Sequence, residues 1–396
     1  MTLSTTPDPA IFPYFQPIIS VASGIIEGYE ALARCYDAQG RVVSAGGVFF
    51  DPQISDEQKI EWDRRLRYQA LQKFSQLKTN CYLTLNISAA WLKYVEDMSQ
   101  LPTLKMLHEM NIDKRRIVIE ITEEKGDLDH LAELVKVYRQ HGLKVAIDDF
   151  GAGYSQLERV IAIQPDIIKL DMQLFKQANK GGVARDVVQL VTRLAKRSGS
   201  HVVCEGVETT AEFFFALQAG IPLMQGFLFS PAMAEFSPPT THQRHIDSLR
   251  NKFLHKTLPN ERKNNSKLAT IKQLVKQLQQ ALQTDFNLNQ LAALPFEISG
   301  ILRFYICNNQ GQQLSASFVF SQKKWFEDAR QMGFNWSWRP YFYQILALDS
   351  PLACHEPIAS ESYRDFNTDK LCKTFSIRID EMRILLVDFV VPATNL

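Results

Sequence analysis

From about residue 10 to residue 236, short apolar runs take turns with stretches of helical periodicity. Phe12 to Ile19 and Gly28 to Arg34 predict two strands, and from Asp56 to Leu77 the apolar residues recur at helical spacing. Tyr82 to Ser88 then alternates, with Leu83, Leu85 and Ile87 on one face and Thr84, Asn86 and Ser88 on the other. Ile117 to Thr122 repeats this, setting Ile117, Ile119 and Ile121 against Val118, Glu120 and Thr122. Asp127 opens a helix to His141, and Gly142 supplies its left-handed stop. Val145-Ala146-Ile147 reads as a strand buried on both faces, ending in the adjacent acids Asp148 and Asp149 and the Gly-rich turn to Tyr154. Ile167 to Asp171, a helix from Val183 to Ser198 stopped by Gly199, His201 to Val207, a helix from Thr209 to Ala219 and Leu223 to Phe229 complete the set. Eight strands alternating with helices imply parallel pairing through crossovers. About 230 residues suits the α/β class and a (β/α)8 TIM-like barrel, typically of roughly 250. An open doubly wound sheet competes, but it wants a Gly-rich phosphate fingerprint after its first strand, and the sequence has none there.

The texture changes after Ser237-Pro238-Pro239. Residues 238–284 read as a polar helical linker, interrupted at Pro259 and Asn264-Asn265. Within it Leu268, Ile271, Val275, Leu278 and Leu282 follow a 3,4,3,4 spacing, which serves a short coiled coil or a helix lying on a neighbouring domain equally well. Residues 285–396 turn to strands: Ile301 to Cys307 and Leu314 to Phe320 flank one hairpin-like turn, and Cys372 to Ile379 and Arg383 to Val391 flank another. Between them lies the aromatic cluster Phe334 to Phe342. This α+β segment resembles a PAS-like or Cache-like sensor module, in the arrangement of the YkuI-type C-terminal domain. A dimerising module competes with a small-molecule site at Trp338, Arg339 or Tyr341. The expected domains are therefore 1–237, 238–284 and 285–396.

Composition narrows the partners. Lys plus Arg number 44 against 43 for Asp plus Glu, a formal charge of +1, so no global basic field captures a nucleic-acid polymer or an acidic membrane. The six cysteines lack a CxxC pair, which argues against a structural zinc site and fits a reducing compartment. Residues 1–9 lack a basic and apolar leader, and no apolar run approaches the roughly 18 residues of a membrane helix, so a cytoplasmic protein is expected.

The chemistry gathers at the strand ends. In a barrel Glu30, Asn86, Glu120, Asp148, Asp149, Lys169, Glu205 and Gln225 all fall at the C-terminal mouth, where barrel active sites lie. Five carboxylates against Lys169 leave a charge of −4 in one cavity. At an effective dielectric of about 20, each like pair at about 4 Å is worth roughly 4 kcal/mol of repulsion. Either acids are protonated or cations are bound. Two divalent ions cancel the charge, and an all-oxygen set completed by Asn86 suits Mg²⁺ or Mn²⁺. Paired hard ions serve in-line displacement at phosphorus. Arg34 is suited to gripping a phosphate, and Lys169 with Glu205 to deprotonating the attacking water. Cys204 precedes Glu205 and points to the opposite face of its strand, as packing.

These residues stand in a recognisable set: Glu30-Ala31-Leu32-Ala33-Arg34, Asn86-Ile87-Ser88, Glu120-Ile121-Thr122-Glu123, Asp148-Asp149-Phe150-Gly151-Ala152-Gly153-Tyr154-Ser155, Ile168-Lys169-Leu170-Asp171, Glu205-Gly206-Val207-Glu208-Thr209 and Gln225-Gly226-Phe227. The set resembles the EAL family of cyclic di-GMP phosphodiesterases over residues 10 to 236. The resemblance implies hydrolysis of one phosphodiester of the cyclic dinucleotide to linear pGpG. It makes Glu30, Asn86, Glu120, Asp148, Asp149 and Glu205 metal ligands, with Lys169 and Glu205 activating water and Arg34 contacting substrate phosphate. Glu123 would hold the loop after Asp149, and Glu208 and Gln225 match polar residues that support catalysis and substrate. The approach from Cys35 to Ser55 departs from the family pattern, which bears on substrate contacts. A regulatory role for the loop Phe150 to Leu157 and a homodimer are further expectations of the resemblance. Two other readings compete: a catalytically silent cyclic di-GMP receptor, and a barrel lyase or isomerase using one Mg²⁺.

Overall fold

The computed structural model describes residues 10–49, 51–87, 101–121, 128–153, 156–283, 300–322, 324–348 and 356–391. The chain forms two compact units, residues 1–254 and 255–396.

The first unit contains strands β1 (Phe12–Ser20), β2 (Ile26–Tyr36), β3 (Val42–Ser44), β4 (Tyr82–Ile87), β5 (Ile117–Ile121), β6 (Lys144–Phe150), β7 (Ile167–Leu170), β8 (His201–Cys204) and β9 (Leu223–Met224). Its helices are α1 (Gly46–Phe49), α2 (Asp56–Ser75), α3 (Pro102–Glu109), α4 (Leu128–Gln140), α5 (Gln156–Ile163), α6 (Met172–Asn179), α7 (Val183–Ser198) and α8 (Thr210–Ala219). Strands pair in the order β1-β9-β8-β7-β6-β5-β4-β2, and β2 pairs back onto β1, which closes an eight-stranded barrel. β3 hangs on the far end of β2, outside the ring.

One expectation is corrected. The strands from β2 round to β9 pair in parallel, but β1 runs antiparallel to both its neighbours, β2 and β9. Only five residues separate β1 from β2. A parallel crossover needs a dozen or more, so the chain turns straight back as a hairpin. Strands β8 and β9 are also shorter than their apolar patterns suggest, so Glu205 and Gln225 stand just past the strand ends.

Period-two alternation sorts the barrel residues into two sets. Leu83, Leu85, Ile117, Ile119, Val145, Ile147, Ile168, Val202 and Cys204 face outward into the core shared with the helices. Ile18, Val118, Ala146, Ile167, Val203 and Leu223 form a separate cluster inside the barrel, with Tyr82 packed on it. The last five of these stand two residues before Glu120, Asp148, Lys169, Glu205 and Gln225. The apolar plug is thus the floor on which the polar layer rests. Gly28 belongs to it by shape, because a Cβ there would lie 2.3 Å from the Tyr82 ring. Helix ends follow local rules: α8 begins with a Thr209–Glu212 capping box, and α7 and α8 stop at left-handed Gly199 and Gly220. The start of the helix expected from Asp127 lies outside the described residues.

Helix α9 (Gln243–Gln283) runs unbroken through Pro259 and Asn264-Asn265, against the expected interruption. Pro259 removes one N–H and leaves the His255 carbonyl without its helical donor, and the surrounding turns are exposed, so water can serve that carbonyl. In the first unit Ile246 and Leu249 join the barrel core. In the second unit Ile271, Val275, Leu278 and Leu282 pack on a sheet, which decides for a helix lying on a domain over a coiled coil.

That sheet comprises β10 (Ile301–Asn308), β11 (Ser317–Ser321), β12 (Lys324–Asp328), β13 (Ile358–Ala359), β14 (Tyr363–Arg364), β15 (Leu371–Arg378) and β16 (Arg383–Val390). Both expected hairpins are present, β10 with β11 and β15 with β16. One face carries Phe304, Phe375, Leu385, Val387 and Phe389 against α9. The other carries Tyr305, Cys307, Ile384 and Leu386 against α10 (Pro340–Leu346). On that second face Arg303 is buried between Asp388, at 2.9 Å, and Asp365. The aromatic cluster divides: Tyr341 and Phe342 enter the core, whereas Phe334 and Trp338 are exposed. The Arg339 guanidinium lies 5.0 Å from the Trp336 and Trp338 rings.

Candidate active site

The polar layer is built by parity. Asn86 on β4, Glu120 on β5, Asp148 on β6 and Lys169 on β7 occupy inward positions near their strands' C-terminal ends, and Glu30 stands mid-way along the longer β2, near the end of its parallel pairing with β4. Asn86 and Glu120 stand at the same register of adjacent parallel strands. Consecutive residues of a regular strand face opposite ways, so Asp148 and Asp149 should diverge. Instead the β6–β7 register shifts between Ile147 and Phe150, and Asp149 takes a left-handed φ of 51°. This bulge turns both carboxylates to the mouth.

Two carboxylate triads result. Glu30, Glu120 and Asp148 form one, and Asp148, Asp149 and Glu205 the other; within each, one oxygen per residue lies within 4.8 Å of the others. Asp148 belongs to both. Lys169 is the cation among them, its Nζ 2.7 Å from Glu205, 2.9 Å from Asp148, 3.1 Å from Glu120 and 3.2 Å from Glu30. Glu30 is further braced by Asn86 Nδ2, which donates to Oε1 at 3.1 Å, and Gln225 Nε2, which donates to Oε2 at 2.7 Å.

Crowding acids in a buried layer shows in their protonation. Burial raises the Glu30 pKa, but the Lys169 ammonium and the Gln225 and Asn86 amides outweigh it and hold the carboxyl below the ordinary range. Glu120 receives less help: burial drives it well above that range, Lys169 opposes, and the Glu30, Asp148 and Glu205 charges add to the rise. Burial, with Asp148 and Glu30, pushes Glu205 up to about 8 against the pull of Lys169. Burial and Asp148 push Asp149 up to about 6. Burial would lower Lys169, but the surrounding carboxylates keep it firmly protonated. The layer thus retains protons where cations would neutralise it. The buried Glu120 Oε1 has no hydrogen-bond partner. An unpartnered buried carboxylate oxygen, two all-oxygen triads and raised pKa values are the donor chemistry of hard divalent ions, so the residues present fit such ions.

The remaining candidates divide. Gln225 is placed by Gly226, where a Cβ would meet the Val207 carbonyl oxygen at 2.2 Å, so only glycine lets the two segments lie together. Arg34 lies four residues beyond Glu30 on β2, half-buried, with Nη1 donating to the Ala33 carbonyl. Glu208 is not in the triads; its carboxylate pairs with Lys176 on α6 at 2.9 Å. Glu123 lies outside the described residues. Gln16 was not among the expected residues, yet its Oε1 accepts from Gln225 Nε2 at 3.0 Å. Its signal was the parity of β1, which puts Gln16 opposite Glu30.

A family model described as EAL domain matches residues 8–232. The chain belongs to the EAL family. A second model, an EAL-domain associated signalling protein domain, matches residues 242–392. The uncharacterized EAL-domain containing protein YkuI of Bacillus subtilis is 30% identical over 393 residues, 96% of this chain and 94% of that one. Its crystal structure, in complex with substrate c-di-GMP and calcium, aligns with a TM-score of 0.85 at 26% identity over 96% of each chain. The cyclic di-GMP phosphodiesterase PdeL of Escherichia coli is 26% identical over 226 residues, 55% of this chain and 61% of PdeL. A manganese/c-diGMP complex of Klebsiella pneumoniae BlrP1 aligns at TM-score 0.51 and 30% identity, over 59% of this chain and 58% of BlrP1. EAL-type structures thus hold divalent ions together with the dinucleotide. Among the described residues no helix is long and apolar enough to cross a membrane.

Proposed function

We propose that this chain is a metal-dependent phosphodiesterase that hydrolyses cyclic di-GMP to linear pGpG. The observation that carries the reading is the pair of carboxylate triads sharing Asp148, with the buried Glu120 oxygen unpartnered. Glu30, Asn86, Glu120, Asp148, Asp149 and Glu205 would hold two ions, Mg²⁺ or Mn²⁺. Bound there, such ions polarise the phosphoryl oxygens and lower the pKa of water. Glu205 is the residue to take the proton of the attacking water, because it is the most exposed of the four carboxylates around Lys169. Lys169, 2.7 Å from it, orients that carboxylate and stabilises its ionised form. Arg34 grips a non-bridging phosphate oxygen, Gln225 holds Glu30, and Glu123 restrains the loop after Asp149. Glu208 supports catalysis from its pair with Lys176. In the same reading residues 1–237 are catalytic, 238–284 connect, and 285–396 regulate.

The test is incubation of the full chain with cyclic di-GMP and Mn²⁺ or Mg²⁺, following pGpG by chromatography. Product that disappears in Glu30→Ala supports the enzyme. Dinucleotide binding without product points to a silent receptor instead.

A further inference from the structure

The geometry points to Gln16 as a positioning residue that sets the orientation of the Gln225 amide and, through it, of Glu30. The inference rests on the ion-binding part of the proposed function and goes beyond it to a residue outside the ligand set.

A side-chain amide can present either its oxygen or its nitrogen, and its neighbours decide which. Here the decision starts at the backbone. The Ser230 carbonyl can only accept, and Gln16 Nε2 donates to it at 3.2 Å. That leaves Gln16 Oε1 facing Gln225, whose Nε2 donates to it at 3.0 Å and to Glu30 Oε2 at 2.7 Å. With the Gln225 amide reversed, its oxygen would face two acceptors at once, a carbonyl and a carboxylate. The order Ser230 carbonyl, Gln16, Gln225, Glu30 therefore has one satisfiable polarity. It has two consequences at the site. Glu30 keeps a neutral donor on Oε2 beside Lys169, and Gln225 Oε1, buried and without a hydrogen-bond partner, is directed away from both acceptors. Gln225 is only 3% exposed, so solvent does not fix its orientation in place of Gln16.

A double-mutant cycle tests this, read by calorimetric Mn²⁺ affinity of the full chain without nucleotide. Gln16→Met keeps the side chain's length and removes both polar ends. Because the amide donor to a charged oxygen loses its alignment but is not removed, a roughly three- to twelvefold weaker affinity is expected. In a Gln225→Met background the same change is expected to alter affinity less than twofold, because the residue through which Gln16 acts is gone. Equal losses in both backgrounds, or an unchanged affinity in Gln16→Met, would overturn the assignment. Mn²⁺ binding by the parent chain without cyclic di-GMP turnover would refute the phosphodiesterase and leave the relay standing; no Mn²⁺ binding at all would refute both.

Discussion

Chelating divalent ions and then raising the pH should weaken the barrel. Glu205 is raised from the ordinary 4.5 to about 8 in the ion-free fold. The native state therefore holds this proton more tightly than the unfolded chain does. Its stabilising contribution is complete below about 4.5 and is lost as the pH climbs through about 8. Between pH 6.5 and 8 Glu205 alone accounts for a loss of roughly 1.5 kcal/mol. Asp149, at about 6, has largely surrendered its share by then, whereas Glu120, raised further, adds loss of the same sign. For a unit of about 250 residues this corresponds to a fall in Tm of about 3–6 °C. Scanning fluorimetry in a chelator at pH 6.5, 7.25 and 8 measures it, and repetition with Mn²⁺ should show a stabilisation that grows over the same interval, since ions replace protons. Glu205→Gln should remove about half of the fall or more. A chelated Tm that holds or rises from pH 6.5 to 8, or a fall just as steep in Glu205→Gln, would refute the idea that crowded acids await cations.

Other substitutions probe separate links. Lys169→Met removes the buried cation that faces four carboxylates, and ion-free protein should lose about 3–5 kcal/mol at pH 8, less at pH 6 where the acids take up protons, as measured by urea unfolding. Gly226→Ala puts a Cβ 2.2 Å from the Val207 carbonyl oxygen, so a loss of about 3 kcal/mol with weaker Mn²⁺ binding is expected; parent-like stability would show that this turn relaxes freely. Arg303→Met strands Asp365 and Asp388 in the second unit, and about 3–5 kcal/mol should be lost at pH 8 in denaturant titration, a change below about 1 kcal/mol speaking against a tight triad.

Much of the site could be read before any coordinates. Alternation assigns Val118 and Glu120, or Ala146 and Asp148, to the same side of a strand, and the chirality of crossovers brings those sides into one barrel. The chemistry of five acids and one lysine follows from residue identity alone. Other features depend on contacts between distant segments. The β1–β2 hairpin was hidden by an apparent strand–helix rhythm, although the eight residues between the two expected strands were already too few for a crossover. The bulge that brings Asp148 and Asp149 together arises from pairing with β7, and no local pattern announces it. The apolar seam of α9 was ambiguous because periodicity specifies a face but not its occupant; Val275 and Leu278 find theirs on a sheet formed by residues 301–390. Glu208 diverges to Lys176, and Gln16 reaches Gln225, 209 positions away in the chain. Side-chain parity is a property of the backbone repeat and is written locally. The choice of partner is a property of packing, and only the folded chain makes it.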